Sequence, residues 1–551
     1  MSYRIGVDIG GTFTDCVVSD DTGRRTLSKA LTSHGALYEG VLGAVARNAE
    51  ERGLEVGQLL AETTQFVHGT TVATNAVLTR RGAKIGLLTT RGHEDALLIG
   101  KVSAKSAGLA ERDLTHASRL EKPPPIVPPD RIHGVSERID VEGEVVAPLA
   151  EAGVISAIES LLAAGVEAIA VSLLWSFRNP AHEIRIGELL RDKAPHVFAT
   201  FSHELAPVLG EYERTVTTVL NAYVGPEVSA YLSELETRLR SAGLRFPLLV
   251  MQASDGLTSV QDAGRRPIVT LDSGPTGGIL GCRYLSELYA EPHMICTDVG
   301  GTSFDVGVIH SGRVPLEPEP VISQYAFRIP KVAVRSIGAG GGSIGWLDDG
   351  GVLRVGPQSA GSNPGPACYG RGGDRATVTD ADLVLGYFDA NAFLGGRMKL
   401  DRSQALVALG RLGAPLGMDP EEVAVGMLRI VNAHMADLIR RSTIEQGNDP
   451  RECVLVAYGG AGPTHAAFYG ADIGAKSILI PADSTVFSAE GMLTCQMVHS
   501  AGASHPLAPP FCEQDFVGLC ARLDELESRV LGQFETEGVR RDEVTLQRTV
   551  T

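Results

Sequence analysis

The chain has 551 residues, 44% hydrophobic and 21% charged. That is the composition of a soluble globular protein, but the length exceeds what one core sustains, so about two to four domains are expected. A net charge of −17 with no basic stripe or aromatic platform excludes nucleic acid as a partner, yet leaves small anions open, because backbone N–H groups can hold them locally. The most apolar stretch, residues 154–174, is interrupted by Glu159, Gly165 and Glu167; no membrane span and no signal segment are expected, and the cytoplasm is the default compartment. The eight cysteines form no C-x-x-C pair and read as reduced, mostly buried thiols.

The chain opens on strands over residues 5–9, 15–19 and 25–30. Between the first two lies Asp8-Ile9-Gly10-Gly11-Thr12-Phe13-Thr14-Asp15. Glycines let phosphate oxygens approach the backbone, hydroxyls add donors, and an acid at a strand end suits Mg²⁺. The pattern returns after a second apolar strand as Asp298-Val299-Gly300-Gly301-Thr302-Ser303-Phe304-Asp305. One copy would pass for an acidic hairpin turn. Two copies 290 residues apart point to a pair of phosphate clamps closing on one nucleotide from opposite sides. A strand meander that opens with a phosphate loop begins the actin, hexokinase and Hsp70 type of fold. The expected class is therefore α/β, a duplicated ribonuclease H-like nucleotide-binding fold.

Further along, residues 38–52 read as a helix. His68-Gly69-Thr70-Thr71 with Asn75 is a polar turn feeding a helix, either as its cap or as part of the substrate or phosphate path. Residues 84–89 form a short buried strand. His93-Glu94-Asp95 is a solvated helix start or a metal site. Residues 101–130 are proline-rich and irregular, and read as an ordered connection. Residues 154–164 are helical and 168–174 a strand. Ser202-His203-Glu204 and Glu211 to Arg214 line a substrate pocket or make an ion-paired helix end. Residues 211–243 have helical spacing, and 248–252 are a strand.

Three glycine-rich turns follow the second clamp, over residues 336–343, 361–370 and 459–465. The first, with Gly340 and Gly341, is a third anion nest or a tight turn packed under the nucleotide. Cys368, in the second, lacks a visible base. Asp380 and Asp382 suit a helix cap better than a base, and His465 follows the third turn as a helix cap. Helices cover 403–412 and 420–446, with a strand at 453–458. The last segment holds an amphipathic helix over 515–537 and a strand over 544–550.

Ten motifs, taken in order, resemble those of the hydantoinase A/oxoprolinase family: GVDIGGTFTD, HGTTVATNAV, SLLWSFRNPAHE, SHELAPVLGEYERT, LDSGPTGG, TDVGGTSFDV, SIGAGGGSI, SAGSNPGPACYGRGG, VTDADLVLG and YGGAGPTHA. The resemblance covers roughly residues 4–500. It implies an enzyme subunit that uses ATP and Mg²⁺ to phosphorylate a carbonyl oxygen or activate bicarbonate, working with a second large subunit of the hydantoinase B type in a hetero-oligomer. By resemblance, Asp8, Gly10, Gly11, Thr12 and Thr14 form one phosphate clamp, and Asp298, Gly300, Gly301, Thr302 and Ser303 the other. Gly459, Gly460, Ala461 and Gly462 would contact the adenosine. Asp8 and Asp298 are the expected catalytic and Mg²⁺-positioning acids; His68, Thr70, Asn75 and His203 are candidate substrate contacts. Three domains are expected, over 1–200, 201–500 and 501–551, the last beginning a β-rich part that relatives continue.

Three departures from the commonest family pattern resemble the acetone and acetophenone carboxylase branch: Phe304-Asp305 in the second clamp, Phe487-Ser488-Ala489 without a preceding proline-glycine, and Leu98 to Ser103 without the usual arginine-proline. They tilt the expected activity toward activating a ketone with bicarbonate. A cyclic-amide hydrolase, a non-catalytic ATP-binding sensor or assembly subunit, and a small-molecule kinase stand as alternatives.

Overall fold

The structure, a computed structural model, describes residues 2–11, 13–32, 36–109, 111–505, 507 and 509–550. Strands β1 (Tyr3–Ile9), β2 (Phe13–Asp20) and β3 (Arg25–Leu31) form an antiparallel meander, and β4 (Thr63–Gly69) lies parallel to β1. Helices α1 (Leu37–Glu51) and α2 (Val72–Thr79) flank β4 in sequence. An insertion then carries a separate parallel sheet of β5 (Ile85–Thr90), β6 (Ile132–Val135), β7 (Ala168–Ser172) and β8 (Phe198–Phe201), in the order β8-β7-β5-β6. The long helix α3 (Glu211–Ser241) leads back to the first sheet, which gains β9 (Leu248–Met251) beside β4 and β10 (Leu257–Ser259) at its edge. The first sheet therefore takes two strands from beyond residue 200.

After helix α4 (Ser273–Tyr289) the plan repeats. Strands β11 (Met294–Val299), β12 (Phe304–Ile309) and β13 (Val334–Ile337) are an antiparallel meander, and β14 (Val454–Tyr458) and β15 (Ser477–Leu479) add in parallel beside β11. Both sheets share the order third-second-first-fourth-fifth, the expected duplicated actin-like fold.

Each half buries its sheet under helices. Ile5, Val7 and Ile9 pack in one core with Val41 and Val45 of α1 and Val216 and Leu220 of α3. Ile295, Val299 and Phe304 pack with Met427, Val431 and Met435 of α5 (Pro420–Thr443). The four-residue spacing of those α5 residues gives the apolar stripe. A capping box of Asp419 and Glu422, with Pro420 at the first turn, fixes where α5 starts. Helix α6 (Gly462–Ile473) follows β14.

The halves meet where α4 crosses α7 (Phe487–Met492). The contact is backbone on backbone: a methyl group on Gly491 would lie 2.1 Å from the Gly277 carbonyl oxygen and 3.0 Å from the Gly281 Cα. Helix α8 (Glu513–Thr536) closes the chain. Residues 544–550 are not a strand as their alternation suggests; they run as irregular chain, with Arg548 paired to Asp524 and Glu527 on α8 instead of to a neighbouring strand. Six of the eight cysteines are buried and none is in a disulfide. Among the described residues no helix is long and apolar enough to cross a membrane.

Candidate functional site between the two clamps

Both clamp turns have the same local geometry. The Gly10 N–H donates to the Phe13 carbonyl at 2.9 Å, and the Gly300 N–H to the Ser303 carbonyl at 3.1 Å. Cross-strand pairing sets Asp8 opposite Asp15 and Asp298 opposite Asp305. The two turns face one cleft of about 890 Å³, lined by Asp8, Gly10, Gly11, Asp298, Gly300, Gly301, Thr302 and Ser303. That volume suits a nucleotide-sized ligand. Thr12 lies outside the described residues.

The four clamp acids line the cleft, and enclosure by protein disfavours the charge of each. Enclosure by protein pushes the Asp8 carboxyl up to about 7, with the Asp15 carboxylate adding to the rise and Lys29 opposing it. Asp298 also rises to about 7, through enclosure first, then Asp305 and Asp8. Asp305 rises to about 6 by enclosure, against the hydroxyls of Ser336 and Ser303 that donate to it. Asp8 Oδ1 is buried without a hydrogen-bond partner, whereas Asp298 Oδ2 accepts from Ser488 Oγ at 3.2 Å. Among the described residues no group of three or more His, Cys, Asp and Glu side chains is arranged to hold a metal. Two facing carboxylates fit Mg²⁺, which commonly takes one or two from the protein and completes its shell with phosphate and water.

The sign of the pH effect follows. Between the ordinary carboxylate value near 4 and the folded value near 7, the folded chain holds protons that the unfolded chain has released. Its stability therefore falls as pH rises through that window, by about a few kcal/mol for Asp8 and Asp298 together. The melting temperature of the ligand-free chain is expected to decline from pH 5 to pH 8. The decline should be shallower in Asp8→Asn, as scanning calorimetry at fixed ionic strength would show.

Several groups at the site carried no assignment in the sequence. Lys29 Nζ pairs with Asp15 at 2.8 Å and donates to the Thr485 carbonyl at 2.6 Å, joining β3 to the segment before α7. Asp272, held at φ +59 just before α4, accepts from Lys331 Nζ at 2.8 Å, and its N–H donates to Thr74 Oγ1 at 2.9 Å. Asp272 and Lys331 both line the cleft. Helix α4 starts against Asp8: a methyl on Gly274 would sit 3.1 Å from Asp8 Oδ1. Its N-terminal end thus faces the space between the clamps, where the helix dipole favours anions. LDSGPTGG is the stretch that builds this corner, but its pairing with Lys331, 59 residues on, is visible only in three dimensions.

The other expected site residues separate into those at the cleft and those elsewhere. Thr70, Asn75, Gly341, Gly459, Gly460 and Ala461 line it. Thr14 does not: it is buried, 3.4 Å from Thr32 Oγ1, which in turn donates to the Gly10 carbonyl and braces the first turn. His68, near the end of β4, is buried with its Nε2 2.8 Å from the Tyr231 hydroxyl, and burial lowers its pKa to about 4. His203 sits in the inserted domain, 2.7 Å from the buried Glu183, beside a separate cavity of about 380 Å³. The 336–343 turn is not a free anion nest. The N–H groups of Gly341 and Gly342 donate to the carbonyls of Gly300 and Gly301, and that of Gly340 to Ser343 Oγ. Gly340 instead lets this turn press on the second clamp, since a methyl there would meet the Gly300 oxygen at 2.7 Å. Gly462 begins α6 and does not line the cleft.

Known proteins resemble this chain along nearly its whole length. The profile of the hydantoinase/oxoprolinase family matches residues 214–501, and that of the hydantoinase/oxoprolinase N-terminal region matches residues 4–194. The chain is 38% identical to the acetophenone carboxylase gamma subunit of Aromatoleum aromaticum, over 98% of this chain and 75% of that one. It is 35% identical to the caprolactamase subunit alpha of Pseudomonas jessenii, over 98% of this chain and 77% of that one. A solved nucleotide-free structure of acetone carboxylase, an ATP-dependent enzyme, superposes with a TM-score of 0.85 at 31% identity, covering 99% of this chain and 78% of that chain. The chain belongs to the hydantoinase/oxoprolinase family of enzymes.

Proposed function

We propose that the cleft binds Mg-ATP and that the chain is the activating subunit of an ATP-dependent enzyme, transferring the γ-phosphoryl to the carbonyl oxygen of a small molecule. The observation that carries this is the convergence of two duplicated clamps, with Asp8 and Asp298 facing one another across a single cleft. Phosphoryl transfer asks mainly for positioning and charge neutralisation, and the cleft is built for both. The turns at Gly10–Gly11 and Gly300–Gly301 hold the phosphate chain, and the start of α4 adds its dipole. Asp8 and Asp298 would hold Mg²⁺, which supplies neutralisation of the phosphate oxygens. Lys331 is the cation at the wall formed with Asp272 and Thr74, placed to meet the transferring group or the acceptor carbonyl.

The preferred acceptor is a ketone, carboxylated with bicarbonate. The acetophenone carboxylase relative and Phe304-Asp305 in the second clamp support it. The caprolactamase relative supports a second reading, in which the acceptor is a cyclic amide that is then hydrolysed. Under either reading the intermediate passes to a second large subunit of the hydantoinase B type, in keeping with the naming of both relatives as subunits.

The test is ATP turnover by the chain with Mg²⁺, with and without its co-expressed second subunit, screened against acetophenone, acetone with bicarbonate, hydantoin, caprolactam and 5-oxoproline. Stimulation by ketone and bicarbonate supports the carboxylase, and stimulation by a cyclic amide supports the hydrolase. ATP binding that no acceptor converts to turnover, even with the partner, would leave a sensor or assembly subunit instead. Lys331→Ala is expected to lower stimulated turnover by about 10- to 100-fold in a steady-state assay. Lys331→Arg, keeping the charge, should recover part of it.

A further inference from the structure

One wall of the cleft has no role in the reading above. Residues 386–398 run between the helices Val378–Val384 and Arg402–Gly413 with little regular structure. Rings hold the segment in place. Tyr387 meets Phe468 edge-on, with centroids 5.8 Å apart, and Phe393 lies 6.0 Å from Phe388 and 5.7 Å from Tyr369. Phe468 is on α6, the helix that starts at the third glycine turn, and both that turn and the aromatic segment border the same cleft. Tyr387, Phe388, Phe393 and Tyr369 all border the cleft, and Tyr387 stays 48% exposed. Rings lining a polar cleft with surface left open suit a flat aromatic ligand.

Arg397 is the second, independent observation. Three basic side chains line the cleft. Lys29 is paired with Asp15 and Lys331 with Asp272. Arg397 makes no ion pair or hydrogen bond among the described residues, and it borders the same cleft. A guanidinium left unpaired on the segment that carries the rings is fitted to an anion attached to a planar group. The wall formed by Thr74, Asp272 and Lys331 is bonded within itself and belongs to different elements, so the two walls offer different chemistry to the two ends of a bound molecule.

We propose, resting on the reading of the cleft as an ATP site, that residues 387–397 are its base-recognition wall. The purine packs on Phe393, Phe388 and Tyr387, and Arg397 takes negative charge from the phosphate chain as it leaves the ribose. The clamps grip phosphates without regard to the base; this wall makes the site prefer a purine nucleotide over bare polyphosphate.

Calorimetric titration of the full chain with ATP and with inorganic tripolyphosphate, both with Mg²⁺, tests this. Wild type should bind ATP at least tenfold more tightly than tripolyphosphate. Tyr387→Ala, a change at an exposed residue, and Phe393→Leu should each weaken ATP by about 5- to 10-fold and leave tripolyphosphate within twofold. Arg397→Gln should weaken both ligands, and Arg397→Lys should restore part of the loss. Equal weakening of both ligands by the aromatic variants, or no weakening at all, would overturn the base wall while leaving the ATP site standing. Wild type that binds neither ligand would overturn the ATP reading itself, and this wall with it.

Discussion

Asp8→Asn and Asp298→Asn are each expected to cut ATP turnover by about two to three orders of magnitude while raising the melting temperature of the ligand-free chain. The opposite signs come from one cause. Both carboxyls are held near 7 because enclosure and neighbouring acids disfavour their charge. Asparagine keeps the shape and removes the charge, so the empty protein gains stability above neutral pH. The same charge is what the cation of a bound nucleotide requires. Wild type should therefore melt higher when Mg-ATP is added, by mass action, and the variants should not respond. Turnover assays and melts with and without Mg-ATP give both readouts on one preparation. A variant that melts lower than wild type at pH 8 and keeps its response to Mg-ATP would contradict this account of the cleft.

The largest loss of stability at the site is expected for Gly459→Ala, about 2–4 kcal/mol by chemical denaturation. Gly459 has φ +86, which disfavours any side chain, and a methyl group would lie 2.1 Å from Asp298 Oδ1 and 2.6 Å from the Val299 carbonyl. The carboxylate must move out of the clamp, so nucleotide binding is lost together with stability. Gly460→Ala is the matched control. A methyl at Gly460 meets nothing within 4 Å, and this variant should fold normally. Gly69 plays the equivalent part in the first half, where a methyl would lie 2.6 Å from Asp8 Oδ1. In both halves a glycine at the end of the strand beside the clamp makes room for the clamp's acid.

The duplicated plan was legible because its signals are local. An apolar strand, an acid, two glycines and a second acid dictate a tight antiparallel hairpin, and the same spacing in both copies dictates the same hairpin twice. The helix that became α5 announced itself through periodicity and its capping box. What the sequence hid was set by partners far along the chain. His203 reads equally as a substrate contact or part of an ion-paired helix end until Glu183 is found buried against it. The N–H groups of residues 340–342 look free until the second clamp's carbonyls and the Ser343 hydroxyl are seen to accept them. Asp272 and Lys331 are unremarkable singly and become a site only as a pair. Thr14 failed for a simpler reason: alternation along β2 turns it away from the side that carries Phe13 and Asp15 to the cleft. Residues 544–550 alternate like a strand, but among the described residues no strand lies beside them to pair with.

The crossing of α4 and α7 has a mechanical consequence. At that point the halves touch through Gly277, Gly281 and Gly491, with the Met492 side chain seated against Gly277 and the Phe487 ring against Gly281. Interdigitated side chains would resist sliding, because each step would need new rotamers. Met492 and Phe487 therefore key the two helices against sliding, while the glycines let them lie at short range, so the crossing fixes how one half sits on the other. The two clamps lie on either side of this joint, so the joint sets the gap between Asp8 and Asp298.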